Sequence, residues 1–391
     1  MDNNNHTARK VLVVFGTRPE AIKLAPVVLE LQRHSNQFTT VICVTGQHRQ
    51  MLDQVLQVFQ LRPHYDLQVM VAGQSLSGVT TASLNGLNKV LERESPDLVL
   101  VQGDTTTTFV AALTAFYYQV KVAHVEAGLR TGQKNNPFPE EISRRLTTHI
   151  ADFHFAPTER SRANLLREGI SPEDIEVTGN TVIDALFYVR DRLARNPSLA
   201  VYPEELAKAS RMILVTAHRR ESFGEQFRQM CEAIRSIALS RPDVLIVYPV
   251  HLNPNVQAPV HKILQGIANV KLIEPLEYVS FVALMQRAHI LLTDSGGIQE
   301  EGPALGKPVL VMRDVSERPE AIAIGTARLV GTNSDTIISA VNELLDNPLR
   351  YQEMTQKPNP YGDGNASLRI VHFLMRRLFD QTPSCLCSSA P

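Results

Sequence analysis

The sequence predicts an α/β protein with two Rossmann-like, doubly wound domains facing one another across a cleft. Short apolar, β-branched runs alternate with amphipathic stretches of helical period, which is the pattern of βαβ units and parallel sheets. Within those runs the hydrophobicity is continuous, as suits strands buried on both faces. At 391 residues the chain exceeds what one ordinary core fills, so two domains are expected.

In the first half the expected strands are residues 10–15, 39–45, 97–101, 120–125 and 153–156. In the second half they are residues 212–216, 244–248, 270–273, 290–293, 309–312 and 328–330. A helical stretch at 181–195 is followed by a linker, 197–210, in which Pro197, Pro203 and small residues break the alternation. The expected division is a first domain at 9–195, joined by a final helix at 366–379, and a second domain at 196–365. Residues 1–8 and 380–391 read as disordered tails.

Hydrophobic residues at 43% and charged residues at 20% are an ordinary globular balance. A net charge of −1 gives no electrostatic reason for a nucleic-acid or membrane partner. The start Met-Asp-Asn-Asn-Asn-His has no apolar core for a signal peptide, and no run is long enough to span a bilayer. Cys43 and Cys231 lie in apolar runs and read as buried thiols, while Cys385 and Cys387 lack partners for a metal site. Reduced cysteines without a leader sequence point to the cytoplasm.

Ligands of open α/β sheets bind beyond the carboxyl ends of the strands. After the first strand comes Gly16-Thr17-Arg18-Pro19-Glu20, where Thr17 caps a helix and Pro19 suits its first turn. Arg18, with Lys23 further along the helix, makes an anion site of this helix start. Asp104 follows the strand at 97–101, and its plain alternative role is to cap the next helix. Glu126 closes the strand at 120–125, an expensive place to bury a carboxylate without purpose. Glu140 and Glu141 open a helix carrying Arg144 and Arg145. Asp104, Glu126 and Glu140 are expected to converge above one sheet edge, where like charges shift each other's pKa as acid–base catalysis needs.

In the second half, the strand at 212–216 runs into His218-Arg219-Arg220, an anion site with a proton carrier. His251 follows the next strand and is evenly balanced between a structural and a ligand-contacting role. Asp294-Ser295-Gly296-Gly297 follows the strand at 290–293 and opens a helix. Its glycines bare the backbone N–H groups to a phosphate at the positive end of the helix dipole. Glu301, about one turn on, suits a sugar diol, and Arg313 and Arg318 add positive charge after the next strand. G-x-G-x-x-G, the P-loop pattern, G-x-S-x-G and metal-ligand spacings such as H-E-x-x-H do not occur, so no metal or nicotinamide cofactor is implied.

These motifs in this order resemble the non-hydrolysing UDP-N-acetylglucosamine 2-epimerase family of bacterial type, over residues 10–379. Besides the segments above, the match includes Gln47-His48-Arg49, Thr178-Gly179-Asn180-Thr181-Val182-Ile183-Asp184, Glu317-Arg318-Pro319-Glu320 and Asn359-Pro360-Tyr361-Gly362-Asp363-Gly364. The resemblance implies the glycosyltransferase-B architecture, with the last helix packed back on the first domain. It implies reversible inversion at C2 of the sugar, between UDP-GlcNAc and UDP-ManNAc, without a cofactor. Elimination of UDP to 2-acetamidoglucal and re-addition account for inversion at a carbon that no carbonyl activates. The resemblance also implies that the products supply cell-surface polysaccharide.

Position by position, the resemblance makes Asp104, Glu126, Glu140 and His218 catalytic. It makes Arg18, Lys23, Arg144, Arg219, His251, Ser295, Gly296, Gly297, Glu301 and Arg318 substrate contacts, with Leu276, Tyr278 and Phe281 about the uracil. Gln47 and Gln50 match a site where a second UDP-GlcNAc acts as activator, and a homodimer is expected. Ser143 stands where many relatives have Asn, and Gly302 where Ala is more usual. The competing readings are a glycosyltransferase of the same fold, an epimerase for a modified UDP-HexNAc, a hydrolysing epimerase, and a non-enzymatic UDP-sugar sensor.

Overall fold

The computed structural model describes residues 8–46, 49–71, 73–316 and 318–379. The expected tails, apart from Ala8, thus lie outside the described residues, as do Cys385 and Cys387. The chain divides into one compact unit of residues 1–185 and 364–391 and another of residues 186–363.

In the first unit the elements run β1 (Arg9–Phe15), α1 (Arg18–Arg33), β2 (Phe38–Val44), α2 (Arg49–Phe59), β3 (Tyr65–Asp66), α3 (Leu76–Glu94) and β4 (Leu98–Gln102). They continue with α4 (Thr106–Tyr117), β5 (Lys121–Val125), α5 (Glu140–Ile150), β6 (Phe153–Ala156), α6 (Glu159–Arg167) and β7 (Ile175–Val177), and α7 (Thr181–Arg195) runs from this unit into the second. Among the described residues the strands form one parallel sheet in the order β3-β2-β1-β4-β5-β6-β7. Leu12, Val14, Val99 and Val101 pack on Val110 and Ala111 of α4 and Leu87 of α3 to form a core that includes Cys43. Burial pushes the Cys43 thiol up to about 12, so it serves as an inert apolar group.

The second unit continues with β8 (Met212–Thr216), α8 (Glu225–Ser240), β9 (Leu245–Pro249), α9 (Pro254–Leu264), β10 (Val270–Ile273), α10 (Tyr278–Arg287) and β11 (Ile290–Thr293). Then come α11 (Gly296–Ala304), β12 (Val309–Val311), α12 (Pro319–Ile324), β13 (Ala327–Leu329), α13 (Ser334–Asp346) and α14 (Pro348–Thr355). Its described strands form a second parallel sheet, β10-β9-β8-β11-β12-β13. Both sheets therefore carry the doubly wound order, with switch points between β1 and β4 and between β8 and β11.

The sequence pattern misses β3 and β7. Both are short strands at the two edges of the first sheet, and Tyr65-Asp66 and Ile175-Glu176-Val177 lack a continuous apolar run. The boundary between units falls inside α7, rather than at its end as expected, because the first turns of α7 belong to the first unit's packing. There the Asp184 carboxylate accepts the backbone N–H groups of Ala366 at 3.2 Å and Ser367 at 2.8 Å, as well as the Ser367 hydroxyl. Asp184 thereby caps the final helix, α15 (Ala366–Phe379), against the first unit. Phe373 of α15 lies edge-on to Phe153 and Phe155 at 5.6 and 5.4 Å, and Arg369 donates to the Thr178 carbonyl. The expected linker at 197–210 holds short 3-10 turns, Pro197–Leu199 and Glu204–Lys208. No helix among the described residues is long and apolar enough to cross a membrane.

Candidate active site

At the first unit's switch point, Thr17 caps α1 in a reciprocal capping box with Glu20. Glu20 does more than that. Its carboxylate accepts the N–H groups of Gly16 at 3.1 Å and Thr17 at 2.7 Å, and the hydroxyls of Thr105 at 2.7 Å and Thr108 at 3.1 Å. It thus ties the β1–α1 turn to the β4–α4 turn. Burial raises the Glu20 carboxyl above its usual range, while the hydroxyls of Thr105 and Thr17 and the N–H groups of Gly16 and Thr17 work against that.

Glu126 follows β5 with φ at +63°, a left-handed conformation that costs a non-glycine residue free energy. The backbone turn aims its carboxylate at several donors. Lys23 Nζ lies 2.6 and 2.7 Å from the two oxygens, Asn180 Nδ2 donates to Oε1 at 3.0 Å, and Gln102 Nε2 donates to Oε2. Lys23, expected to contact the substrate, is paired with Glu126. Gln102 and Asn180 are site residues that sequence reasoning assigned no role. Gln102 ends β4 and Asn180 lies in the Gly179-Asn180-Thr181 segment, so a polar residue at a strand's carboxyl end was the available signal.

Asp104 follows the neighbouring strand β4 and is paired with Arg144, whose Nε lies 3.1 Å from Oδ2. Asp104 is therefore an ion-pair partner of α5 and not a helix cap, which Thr105 supplies. Arg144 also reaches Glu141 at 3.3 Å. Glu141 is fully buried and accepts the N–H groups of Thr131 and Gly132. Burial alone would raise the Glu141 carboxyl, but the Thr131 amide and the Arg144 charge outweigh it and hold the group below its usual range. Glu140, one residue earlier at the start of α5, is arranged differently: its Oε2 is buried with no hydrogen-bond partner among the described residues. Ser143 is buried and donates to the Pro139 carbonyl at 3.3 Å. Arg18 opens α1, half-buried, at the same carboxyl edge.

In the second unit, the Asp294 carboxylate ties the end of β11 to the end of β8. Its Oδ2 accepts the backbone N–H groups of His218 at 2.6 Å and Arg219 at 2.7 Å. The His218 ring is stacked on His251, with centroids 5.3 Å apart and planes 9° from parallel. Burial lowers the His218 imidazole below its usual range; Asp294 opposes the shift and His251 and Arg219 add to it.

Ser295 caps α11 without using its hydroxyl for the cap, which leaves the helix start open. A Cβ on Gly296 would meet the Arg219 guanidinium at 3.7 Å and that of Arg318 at 4.0 Å; one on Gly297 would meet Glu301 Oε2 at 3.7 Å. These are ordinary contacts, and neither residue has the positive φ that requires glycine. Neither the backbone nor the packing of the protein explains the Gly-Gly pair. With its bare N–H groups and the Arg219 and Arg318 guanidiniums nearby, the helix start can accept an anion at close range. Arg318 is itself held by Glu300, and its N–H donates to the Ser316 hydroxyl at 2.9 Å. Arg313 pairs with Glu221 at 3.1 Å.

Glu301, on the same helix, is buried and accepts a hydrogen bond from the Tyr278 hydroxyl at 2.9 Å. Tyr278 and Phe281 lie on α10, and Leu276 precedes it. Gln47 lies outside the described residues, as does the side chain of Gln50, although Gln50 itself belongs to α2.

The family model for UDP-N-acetylglucosamine 2-epimerase matches residues 29–375. The chain is 56% identical over 369 residues to the UDP-N-acetylglucosamine 2-epimerase of Yersinia pestis, covering 93% of this chain and 98% of that one. A solved structure of the UDP-GlcNAc 2-epimerase from Neisseria meningitidis bound to UDP-GlcNAc is 51% identical, with a TM-score of 0.86, covering 94% of this chain and 100% of the other. The Methanocaldococcus jannaschii UDP-GlcNAc 2-epimerase, in complex with UDP-GlcNAc and UDP, is 35% identical with a TM-score of 0.78, covering 94% and 99%. With the family model matched over both units and these relatives alike across nearly the whole length, the chain belongs to the UDP-N-acetylglucosamine 2-epimerase family.

Proposed function

We propose that the protein interconverts UDP-N-acetylglucosamine and UDP-N-acetylmannosamine by reversible inversion at C2. The C2 proton is removed as the C1–O bond to UDP breaks, giving 2-acetamidoglucal with a C1–C2 double bond. UDP then adds back to C1, and a proton is delivered to the opposite face of C2. Such chemistry needs charge stabilisation on the departing diphosphate and groups that exchange a proton at carbon. In this reading the second unit supplies the first requirement through the N–H groups of Ser295, Gly296 and Gly297 with Arg219 and Arg318. The first unit supplies the second through Asp104, Glu126 and Glu140, and His218 completes the set.

The observation that supports an epimerase over a transferase most is the unequal treatment of the carboxylates. Glu126 is covered by nitrogen donors, whereas the buried Oε2 of Glu140 has no partner among the described residues. In this reading Glu140 is the carboxylate left to work on the C2 proton. A transferase with the same phosphate grip has no need of that set. Family membership also supports a homodimer, a second UDP-GlcNAc at Gln47 and Gln50 as activator, and a cytoplasmic place of action.

Incubating the protein with UDP-GlcNAc alone and separating the sugar nucleotides tests the reading. UDP-ManNAc is the expected product. Free ManNAc appearing first would indicate a hydrolysing enzyme, and unchanged UDP-GlcNAc would sink the proposal.

A further inference from the structure

Asp294 has no exposed surface, and its two oxygens are treated unequally. Oδ2 takes both backbone N–H groups, from His218 and Arg219, which fixes the carboxylate in place. Oδ1 is buried with no hydrogen-bond partner among the described residues, and it lies 3.5 Å from His218 Nδ1. A buried carboxylate oxygen without a donor is costly, and the cost is relieved when a nearby N–H turns toward it. A shift of roughly 0.5 Å brings the ring nitrogen to ordinary hydrogen-bond distance. One face of the imidazole is already set by the parallel ring of His251, so the motion left is largely one within the ring plane.

We infer that Asp294 is a positioning residue for His218: it keeps the proton on Nδ1 and so presents Nε2 to the sugar nucleotide. Which nitrogen of a neutral imidazole carries the proton is decided by the hydrogen bond made by the other. The same carboxylate stabilises the imidazolium once Nε2 has accepted a proton. Burial favours the neutral ring here, and of the charges facing it Asp294 and Glu221 oppose that while His251 and Arg219 reinforce it. A neutral ring is the form for which the choice of tautomer matters. The inference rests on the proposed participation of His218 in the reaction, and it gives Asp294 a task separate from the phosphate grip of the residues that follow it.

Asp294→Asn separates the roles. Asparagine keeps one acceptor for the two backbone N–H groups but turns its NH2 toward His218, which then presents a lone pair at Nδ1 and a proton at Nε2. The variant is expected to bind UDP and to keep KM within a few-fold, with kcat reduced roughly 10²- to 10⁴-fold. Long-range nitrogen–proton NMR of the unaltered protein with UDP is expected to place the His218 proton on Nδ1. A proton on Nε2 overturns the inference, as does an Asp294→Asn protein with undiminished kcat, or one losing UDP affinity in step with kcat. If the variant does not fold, the tautomer in the unaltered protein decides alone. If the unaltered protein forms no UDP-ManNAc, the functional reading falls, and the tautomer measurement still decides the pairing.

Discussion

Glu126 and Glu140 bring the same carboxyl group into different surroundings. Glu126 meets Lys23, Gln102 and Asn180, and Glu140 keeps one buried oxygen open among the described residues. If that difference is functional, Glu140→Gln removes the proton-exchanging group and leaves the nucleotide grip intact. Its kcat is expected to fall by roughly 10²- to 10⁴-fold with UDP affinity retained, and His218→Asn to behave likewise. Rate measurements beside calorimetric UDP titration check both; wild-type turnover in either variant refutes the assignment. Many of the candidate residues, Asp104, Glu126 and His218 among them, were legible because they follow a strand, where an α/β fold keeps its chemistry. Their pairings were not. Lys23 and Glu126 stand 103 positions apart, and nothing local marks one as the partner of the other. Asp104 read equally well as a helix cap until Arg144, forty positions away, was seen to hold it.

At the scale of elements, each sheet's switch point is bridged by a buried carboxylate: Glu20 between the β1 and β4 turns, Asp294 between the β8 and β11 ends. Both belong to motifs the sequence displays, yet their bridging depends on strand order, which periodicity does not fix. Long apolar strands were legible to within a residue or two, and the short edge strands β3 and β7 were not, because strands there need no continuous apolar run. Helix α11 offers a test in its own glycines. A Cβ on Gly302 would lie 2.5 Å from Val309 Cγ2 and 2.7 Å from Leu291 Cδ1, so Gly302→Ala is expected to destabilise the fold by about 1–3 kcal/mol. Gly296→Ala meets only ordinary contacts and should leave thermal stability unchanged or raise it by up to about 1 kcal/mol, while weakening UDP binding at least tenfold. Thermal unfolding and UDP titration of the pair check this. A Gly296→Ala protein that binds UDP normally would remove the phosphate from the start of α11.

For the molecule as a whole, pH acts through histidines that the fold keeps neutral. Burial pushes His124 down to about 3, although its Nε2–H donates to the Gly103 carbonyl at 2.7 Å; His154 is lowered by burial as well. Between the unfolded value near 6.5 and the folded one, the unfolded chain binds protons that the folded chain does not. The stability is therefore fully present above pH 6.5 and is lost as pH falls toward 3, with a slope on the order of 1 kcal/mol per pH unit from His124. Denaturant titrations from pH 7 to 5 measure that slope, and replacing His124 by a residue that does not titrate should reduce it. The start of the final helix is held by the Asp184 carboxylate. Asp184→Ala removes the cap of α15 and is expected to cost about 1–2 kcal/mol in the first unit.

Of all these measurements, NMR of UDP-GlcNAc with the protein in deuterium oxide bears most directly on the chemistry. Deuterium entering C2 as UDP-ManNAc appears is the result the elimination and re-addition require, since the returning proton comes from groups that exchange with solvent. UDP-ManNAc forming without deuterium at C2 would contradict that course, and the absence of both would contradict the epimerase itself.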